Sequence, residues 1–473
     1  MVSGKTTASV GRSWASPPEY QFQPRAMRST VAELLDGIGE WPNVLVLVRS
    51  FGPSTTSALK FALTDAGEWE PDPAGHYLGS GSSSLRFVRT RGDQRQRVRI
   101  SLISEWLGLV PEGHTVPEMV RAFDRLRDVL RSTFDPGVML WTTPVMTGRA
   151  LWRRSIGHGK TFDQLDAETA KLIAETDPQG RTEMIGCMYC NGDGCPDHRS
   201  KARALFELDA RLAYPAIARA ELPGNLLAHD DRPWSSADRY QPNRYRVRAR
   251  VPSDWRHVGI LPLNDGGWRW PRTPGEQFET WADAAELHVA DKHGWQFETL
   301  ERLAFDKCRP LRTWSEKLCE PALTEPDPLV RRALRLIMLT TLGGMAQSPR
   351  MVTKIARDGQ TMPPASARKV QHVDGVLSWQ ETSHRSTGYS FRHWATAIWA
   401  RQRARLLDGP GETGALYLDP LDVVAFRTDA VWSTLDPGWP DDGKVGRYRV
   451  KQATAEASPW PHDARALLDM RGN

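Results

Sequence analysis

One stretch constrains the rest of the chain more than any other: Ala204-Leu-Phe-Glu-Leu-Asp-Ala-Arg-Leu-Ala-Tyr-Pro215. The short run Ala204 to Leu208 has the length and character of a buried strand. Asp209 sits at its C-terminal end, and Pro215 sits near the start of a helical stretch, with Tyr214 just before it. A carboxylate at a strand end is well placed to hold a metal ion, but hard divalent cations need several oxygen ligands. A second acid must therefore come from elsewhere. The best candidate is Asp429, in residues 422–434, where two β-rich runs flank a tight turn that carries the acid.

These two stretches resemble motif A (DxxSLYP) and a degenerate motif C (YxDTDS) of the family B DNA polymerases. The likeness is to the protein-primed branch found in phages and linear plasmids. The resemblance implies template-directed nucleotidyl transfer, with Asp209 and Asp429 holding two Mg²⁺ (or Mn²⁺) ions about 4 Å apart. One ion would activate the primer hydroxyl and the other would neutralise the leaving pyrophosphate. Tyr214 falls on the residue that stacks under the sugar and excludes ribose 2′-hydroxyls, which implies deoxynucleotide substrates. Arg427 falls on the first motif C acid. This charge reversal weakens metal binding unless Arg427 points at phosphate instead.

A third element follows the family order. Asp327 reads as a helix cap with Pro328 at the first helical position. The helix 329–346 resembles motif B (KxxxNSxYGKF) of the fingers. Arg335 falls on the motif lysine, and Arg331 lies one turn earlier on the same face, so both can meet a triphosphate. Leu339 and Leu342 replace the motif asparagine and tyrosine, while Gly343 is kept. Without the other motifs, the same helix reads equally well as a buried helix with two solvated arginines. Further on, Gly446-Arg447-Tyr448 resembles the G-[KR]-[FY] segment that follows motif C. The resemblance covers residues 200–450.

Outside that region the residues speak for themselves. Cys187, Cys190, Cys195 and His198 form C-x2-C-x4-C-x2-H. A Cys3His set closes a tetrahedral shell, which suits structural Zn²⁺ and leaves no open position for catalysis. The plainer alternative is a Cys-rich loop without metal. Protein-primed polymerases do not generally carry this element. Val44 to Val48 predicts a buried strand, Ser84 to Thr90 and Gln96 to Ile103 a strand pair around Arg91-Gly-Asp-Gln, and Met119 to Thr133 an amphipathic helix. In the family this region holds an RNase H-like proofreading exonuclease, whose metals need a DxE pair. Here the first strand runs into Arg49-Ser50-Phe51, and the later strand offers Ser101 and Ser104 with Glu105 the nearby acid. The expected domain keeps an exonuclease-like shape without proofreading.

The expected fold class is α+β: polymerase palm and fingers preceded by an RNase H-like α/β domain, with a small zinc-binding loop. The divisions are a flexible tail (1–27), a degenerate exonuclease-like domain (28–180), the zinc-binding loop (181–200), a palm with insertion (201–325), fingers (326–388) and a palm continuation carrying the motif C-like hairpin (389–473). Within the palm, Val258 to Leu263 predicts a strand, Thr280 to His293 a helix, and Gln296 to Phe305 a strand. An ordinary thumb is not expected in the sequence after residue 450. A net charge of +5 and a pI near 8.9 are compatible with nucleic acid. The lack of a long apolar run or a leader-like N-terminus points to a cytoplasmic protein with no membrane partner. By the resemblance, the partners are DNA and deoxynucleoside triphosphates, together with a priming terminal protein or another replication protein. Two other readings stand beside this one: a polymerase-derived protein that binds DNA or acts as a scaffold without synthesis, and a zinc-containing α/β protein with chance motif matches.

Overall fold

The structure, a computed structural model, describes residues 68–72, 77–79, 82–108, 114–157, 160–185, 204–346, 362–373, 376–382, 390–439 and 441–455, with shorter stretches at 7–11, 23–25, 43–48, 351–357 and 359. Cys187, Cys190, Cys195 and His198 lie outside the described residues. The chain divides into two compact units, one of Met1–Ser155 with Glu320–Gly388 and one of Ile156–Cys319 with Tyr389–Asn473.

The first unit carries a sheet of seven strands: β1 (Thr7–Gly11), β2 (Gln23–Arg25), β3 (Asn43–Val48), β4 (Glu70–Pro71), β5 (Tyr77–Gly79), β6 (Ser82–Arg91) and β7 (Gln94–Leu102). Their order is β2-β1-β3-β7-β6-β4, with β5 also on β6. The expected tail therefore contributes two strands to this sheet. The β6–β7 pair forms where the sequence alternates around Arg91-Gly-Asp-Gln, and Arg91 faces Gln94 across the turn. Gly92 takes φ +56 there, which glycine adopts without strain. β3 runs parallel to β7, with Val46 and Val48 level with Ile100 and Leu102.

Helices α1 (Ser104–Leu107), α2 (Val116–Thr133) and α3 (Pro144–Ser155) follow the sheet. The amphipathic face expected for α2 is its buried face: Met119, Phe123, Leu126, Val129 and Leu130. Its start is closed by a Thr115/Glu118 capping box. A later three-stranded sheet, β16 (Met351–Arg357), β17 (Arg368–Val373) and β18 (Val376–Thr382), pairs β17 and β18 as an antiparallel hairpin.

The second unit holds β8 (Arg181–Met184), β9 (Ala204–Ala210), β10 (Leu222–Asp230), β11 (Arg244–Arg250), β12 (Leu263–Asn264), β13 (Trp268–Arg269), β14 (Gln277–Asp283), β15 (Gln296–Cys308), β19 (Val423–Thr428), β20 (Ala430–Ser433) and β21 (Tyr448–Ala455). Its helices are α4 (Ala167–Glu175), α5 (Ala213–Ala218), α6 (Ala284–Lys292) and α9 (Arg392–Leu407); α7 (Arg312–Thr324) crosses the division between the units, and α8 (Pro328–Met345) belongs to the first. One sheet runs β10-β15-β11-β14, and another β21-β9-β20-β19-β8.

Two expectations change. Residues 258–262 bury Val258, Ile260 and Leu261 without forming a strand, because their apolar side chains seal a loop rather than a sheet face. The expected helix from Thr280 begins only at Ala284. Phe278, Thr280 and Ala282 point inward with period two as β14, and Asp283 then caps α6 by accepting from the Ala285 N–H.

In the β21-β9-β20-β19-β8 sheet the period of two sorts the faces. Leu208, Ala210, Phe426, Val431 and Tyr448 join a core with Leu287 and Ala290 of α6 and Ala404, Leu406 and Leu407 of α9. Leu205, Ala425 and Trp432 form a separate apolar cluster. Asp209 and Glu207 alternate with Leu208, so they share the face of Leu205.

The loop before β21 is held by two glycine-dependent contacts. The Gly446 N–H donates to the Arg211 carbonyl at 2.6 Å, and Arg405 Nη2 donates to the Gly446 carbonyl at 3.0 Å. Gly446 has φ +79, and a Cβ there would come 2.9 Å from Ala216 Cβ and 3.3 Å from Arg405 Nη2. Gly446→Ala is therefore expected to destabilise the protein by about 1–3 kcal/mol, read from the midpoint of urea unfolding.

Candidate active site

Asp209 is placed by strand pairing on both sides. Ala430 of β20 lies opposite it on one side, and Arg449 of β21 on the other. Asp429 sits in the turn between β19 and β20, next to the residue that faces Asp209. The turn is tight enough that Arg427 pairs directly with Ala430, and Thr428 adopts φ +55. A non-glycine residue in the left-handed region is held there at some cost, of order 1–2 kcal/mol. The Ala210 N–H to Asp429 carbonyl contact, at 3.5 Å, ties the turn to the end of β9.

The sheet thus brings Asp209 and Asp429 together, as the sequence implied. Asp209 is only 3% exposed, and its Oδ2 accepts no hydrogen bond among the described residues. The Thr428 hydroxyl donates to Asp429 Oδ1 at 2.9 Å. Burial, and after it the negative charge of Asp209, push the Asp429 carboxyl up to about 6. The Thr428 hydrogen bond and the Lys451 ammonium pull the other way. Two acids that repel each other, Asp209 buried and Asp429 half-buried, are chemically suited to a divalent cation that neutralises both. Asp209 and Asp429 are the residues that would hold it. Groups of three or more acidic, His or Cys side chains poised for a metal are absent among the described residues.

Arg427 is half-buried beside Asp429, and its Nη1 is buried without a hydrogen-bond partner among the described residues. Burial holds its guanidinium below the usual arginine range, opposed by the Asp429 charge. Tyr214 lies at the start of α5, and burial pushes its phenol above the usual range, with the Asp429 charge adding to that. Its hydroxyl and Thr428 both crowd Gly180, where a Cβ would come 3.4 and 3.2 Å from them.

Gly180 connects the site to a buried ionic hub. Arg403 of α9 donates to Asp177 Oδ1 at 3.2 Å, to Glu286 Oε1 at 2.8 Å and to the Gln179 carbonyl. Arg403, Asp177 and Glu286 are all shut off from solvent. An Arg with two buried carboxylates and a carbonyl uses its rigid fork fully. It fixes the 177–180 segment on which Thr428 and Tyr214 rest.

Arg331 and Arg335 belong to the other unit, on α8. Arg331 Nη1 donates to the Glu325 carbonyl at 2.8 Å, so it is turned back toward the start of its own helix. Arg335 is half-buried, and Leu339, one turn further along, is 38% exposed. Leu342, at the motif B tyrosine position, lies on the buried face of α8 with Ile337, Met338 and Met345.

Three residues of the site went unread in the sequence: Glu207, Arg449 and Lys451. Lys451 Nζ lies 3.5 Å from Glu207 Oε1 and 3.7 Å from Asp209 Oδ2, and Arg449 Nη2 lies 3.9 Å from Asp209 Oδ2. The available signal was Glu207 two residues before Asp209, which puts both acids on one strand face.

No family model matches the chain, and no curated protein matches it by sequence. Solved structures do. A phi29 DNA polymerase complexed with primer-template DNA in a post-translocation binary complex aligns with TM-score 0.60 and 12% identity, over 95% of this chain and 85% of that one. The chain has the fold of phi29 DNA polymerase. The ternary complex of phi29 polymerase with primer-template DNA and incoming nucleotide aligns with TM-score 0.59 and 13% identity, over 92% of this chain and 79% of that one. An orthorhombic crystal form of phi29 polymerase gives TM-score 0.54 over 95% of this chain. Among the described residues, no helix is long and apolar enough to cross a membrane.

The raised Asp429 acid makes a stability prediction with a definite sign. Its folded-state value of about 6 lies above the ordinary 3.8, so folding favours the protonated form. Ionised Asp429 therefore subtracts stability above pH 6, and that cost disappears as pH falls toward 4. Metal-free Asp429→Asn is expected to be more stable than wild type at pH 8 by on the order of 1–3 kcal/mol, with the difference fading toward pH 4. Urea unfolding at the two pH values checks it.

Proposed function

We propose that the chain is a DNA polymerase that adds deoxynucleotides to a primer on a DNA template, using Mg²⁺ or Mn²⁺ and lacking proofreading. The observation that carries this reading is the pairing of Asp209 with Asp429: two mutually repelling acids, one buried and one half-buried, at the end of β9 and its neighbouring turn. The fold shared with phi29 DNA polymerase, which has been captured with primer-template DNA and incoming nucleotide, supports it. A divalent ion at these acids would supply the charge that phosphoryl transfer develops. The residues of the chain do the rest. Asp209 and Asp429 hold the charge, Thr428 fixes the Asp429 carboxylate, Tyr214 stands where it can test the sugar, and Arg427 is available for phosphate. By their motif B positions, Arg335 and Arg331 on α8 are proposed to meet the triphosphate. A priming terminal protein or another replication protein is the proposed further partner.

Arg427 favours a second reading, a DNA-binding or scaffold protein without synthesis, because a guanidinium beside Asp429 competes with a metal ion. Primer extension with Mg²⁺ or Mn²⁺ separates the two. Wild type is expected to incorporate deoxynucleotides, and Asp209→Asn and Asp429→Asn are each expected to lose at least about a hundredfold in rate. Incorporation that survives both substitutions sinks the two-acid site, and DNA binding without incorporation by wild type establishes the second reading.

Cys187, Cys190, Cys195 and His198 are proposed to hold one structural Zn²⁺ ahead of β9. Elemental analysis of freshly purified protein is expected to give one zinc per chain, lost in Cys187→Ser with Cys190→Ser. Zinc-free wild type removes the proposal.

A further inference from the structure

The face of β9 that carries Asp209 is also lined by cations from β21, and their placement is specific. The β9–β21 register runs Asp209↔Arg449 and Leu208↔Val450, then shifts before Glu207↔Gln452. Lys451 is the extra residue at that shift. A bulge re-aims the side chain that it carries, and here the Lys451 ammonium reaches both acids of the strand, 3.5 Å from Glu207 Oε1 and 3.7 Å from Asp209 Oδ2. Glu207 and Asp209 are 1% and 3% exposed, while the Lys451 side chain keeps about a third of its surface in solvent. Buried carboxylates demand a compensating charge, and in this chain part of it comes from the protein.

The charge around the site follows. The acids Glu207, Asp209 and Asp429 are set against Lys451 and Arg449 at Asp209 and Arg427 at Asp429. A pair of divalent ions needs a strongly negative set of ligands, and a resident ammonium repels a second dication at the same oxygen.

We propose that Lys451 is a built-in cation that takes the place of one of the two divalent ions, so that the Asp209–Asp429 site binds a single divalent cation. This rests on the polymerase reading for its chemistry but not for its test. Lys451 is a positioning residue: its ammonium sits between Glu207 Oε1 and Asp209 Oδ2, leaving the other Asp209 oxygen and Asp429 for the metal. Glu207 is the anchor that holds the ammonium in place.

The test is Mn²⁺ binding to the full-length chain, read from the electron paramagnetic resonance signal of free Mn²⁺. Wild type is expected to take one Mn²⁺ that Asp209→Asn abolishes. Lys451→Met, which keeps length and removes charge, is expected to bind Mn²⁺ at least roughly tenfold more tightly or to take a second ion. Lys451→Arg is expected to keep the single-ion behaviour. If the Met variant does not fold by circular dichroism, Lys451→Gln gives the same readout. Two Mn²⁺ on wild type, both lost with Asp209→Asn, overturn the proposal, as does a neutral variant that binds like wild type, or no Mn²⁺ on either. Primer extension in the same preparations keeps the two readings apart. One Mn²⁺ without extension upholds Lys451 and fails the polymerase reading, and two Mn²⁺ with extension does the reverse.

Discussion

The Asp209 site depends on placing negative charge at the end of a buried strand. β9 lies between β20 and β21, and this antiparallel sandwiching sets Asp209 against Ala430 on one side and Arg449 on the other. The strand cannot slip by one residue. A shift would swap Leu208, which packs against the helix layer, with Asp209. The apolar core on one face therefore fixes the register that brings the two aspartates together on the other. Their mutual repulsion is the cost of that arrangement, and it is visible in the raised Asp429 acid.

The site is held from behind by charge as well as by apolar packing. Arg403, Asp177 and Glu286 form an ionic hub with no access to water, and the Gln179 carbonyl completes it. Such a hub adds little net stability compared with apolar packing, but it tolerates only one geometry. The segment that it fixes ends at Gly180, against Thr428 and Tyr214. The left-handed Thr428 and the hydrogen bond it gives Asp429 thus rest on a rigid support, which suits a site that must hold a carboxylate in a single orientation.

Much of the scaffold was legible from local pattern. Val44 to Val48, the Arg91–Gln94 hairpin, the α2 stripe, the Asp327 cap and the strands around Asp429 all follow from periodicity and turn chemistry, and the structure forms each of them. The misreadings have physical causes. The run 258–262 is apolar because it seals a loop, and apolarity alone does not distinguish a buried loop from a buried strand. The helical expectation for residues 280–283 fails because Asp283 is the cap of α6 and the residues before it pair as β14.

The sequence by itself determined the local setting of two acids. Asp209 at a strand end and Asp429 in a tight turn are local signals, carried by hydrophobic patterning and turn composition over a dozen residues each. Only the tertiary structure decided what surrounds them. Lys451 is more than two hundred residues from Glu207 and Asp209 in the chain, and it reaches them through a one-residue shift in strand register. Arg403 is just as far from Asp177 and supports the site through a turn that no local pattern marks. Charge acts through space and is blind to sequence separation, so the electrostatic character of the Asp209 site came into view only with the fold.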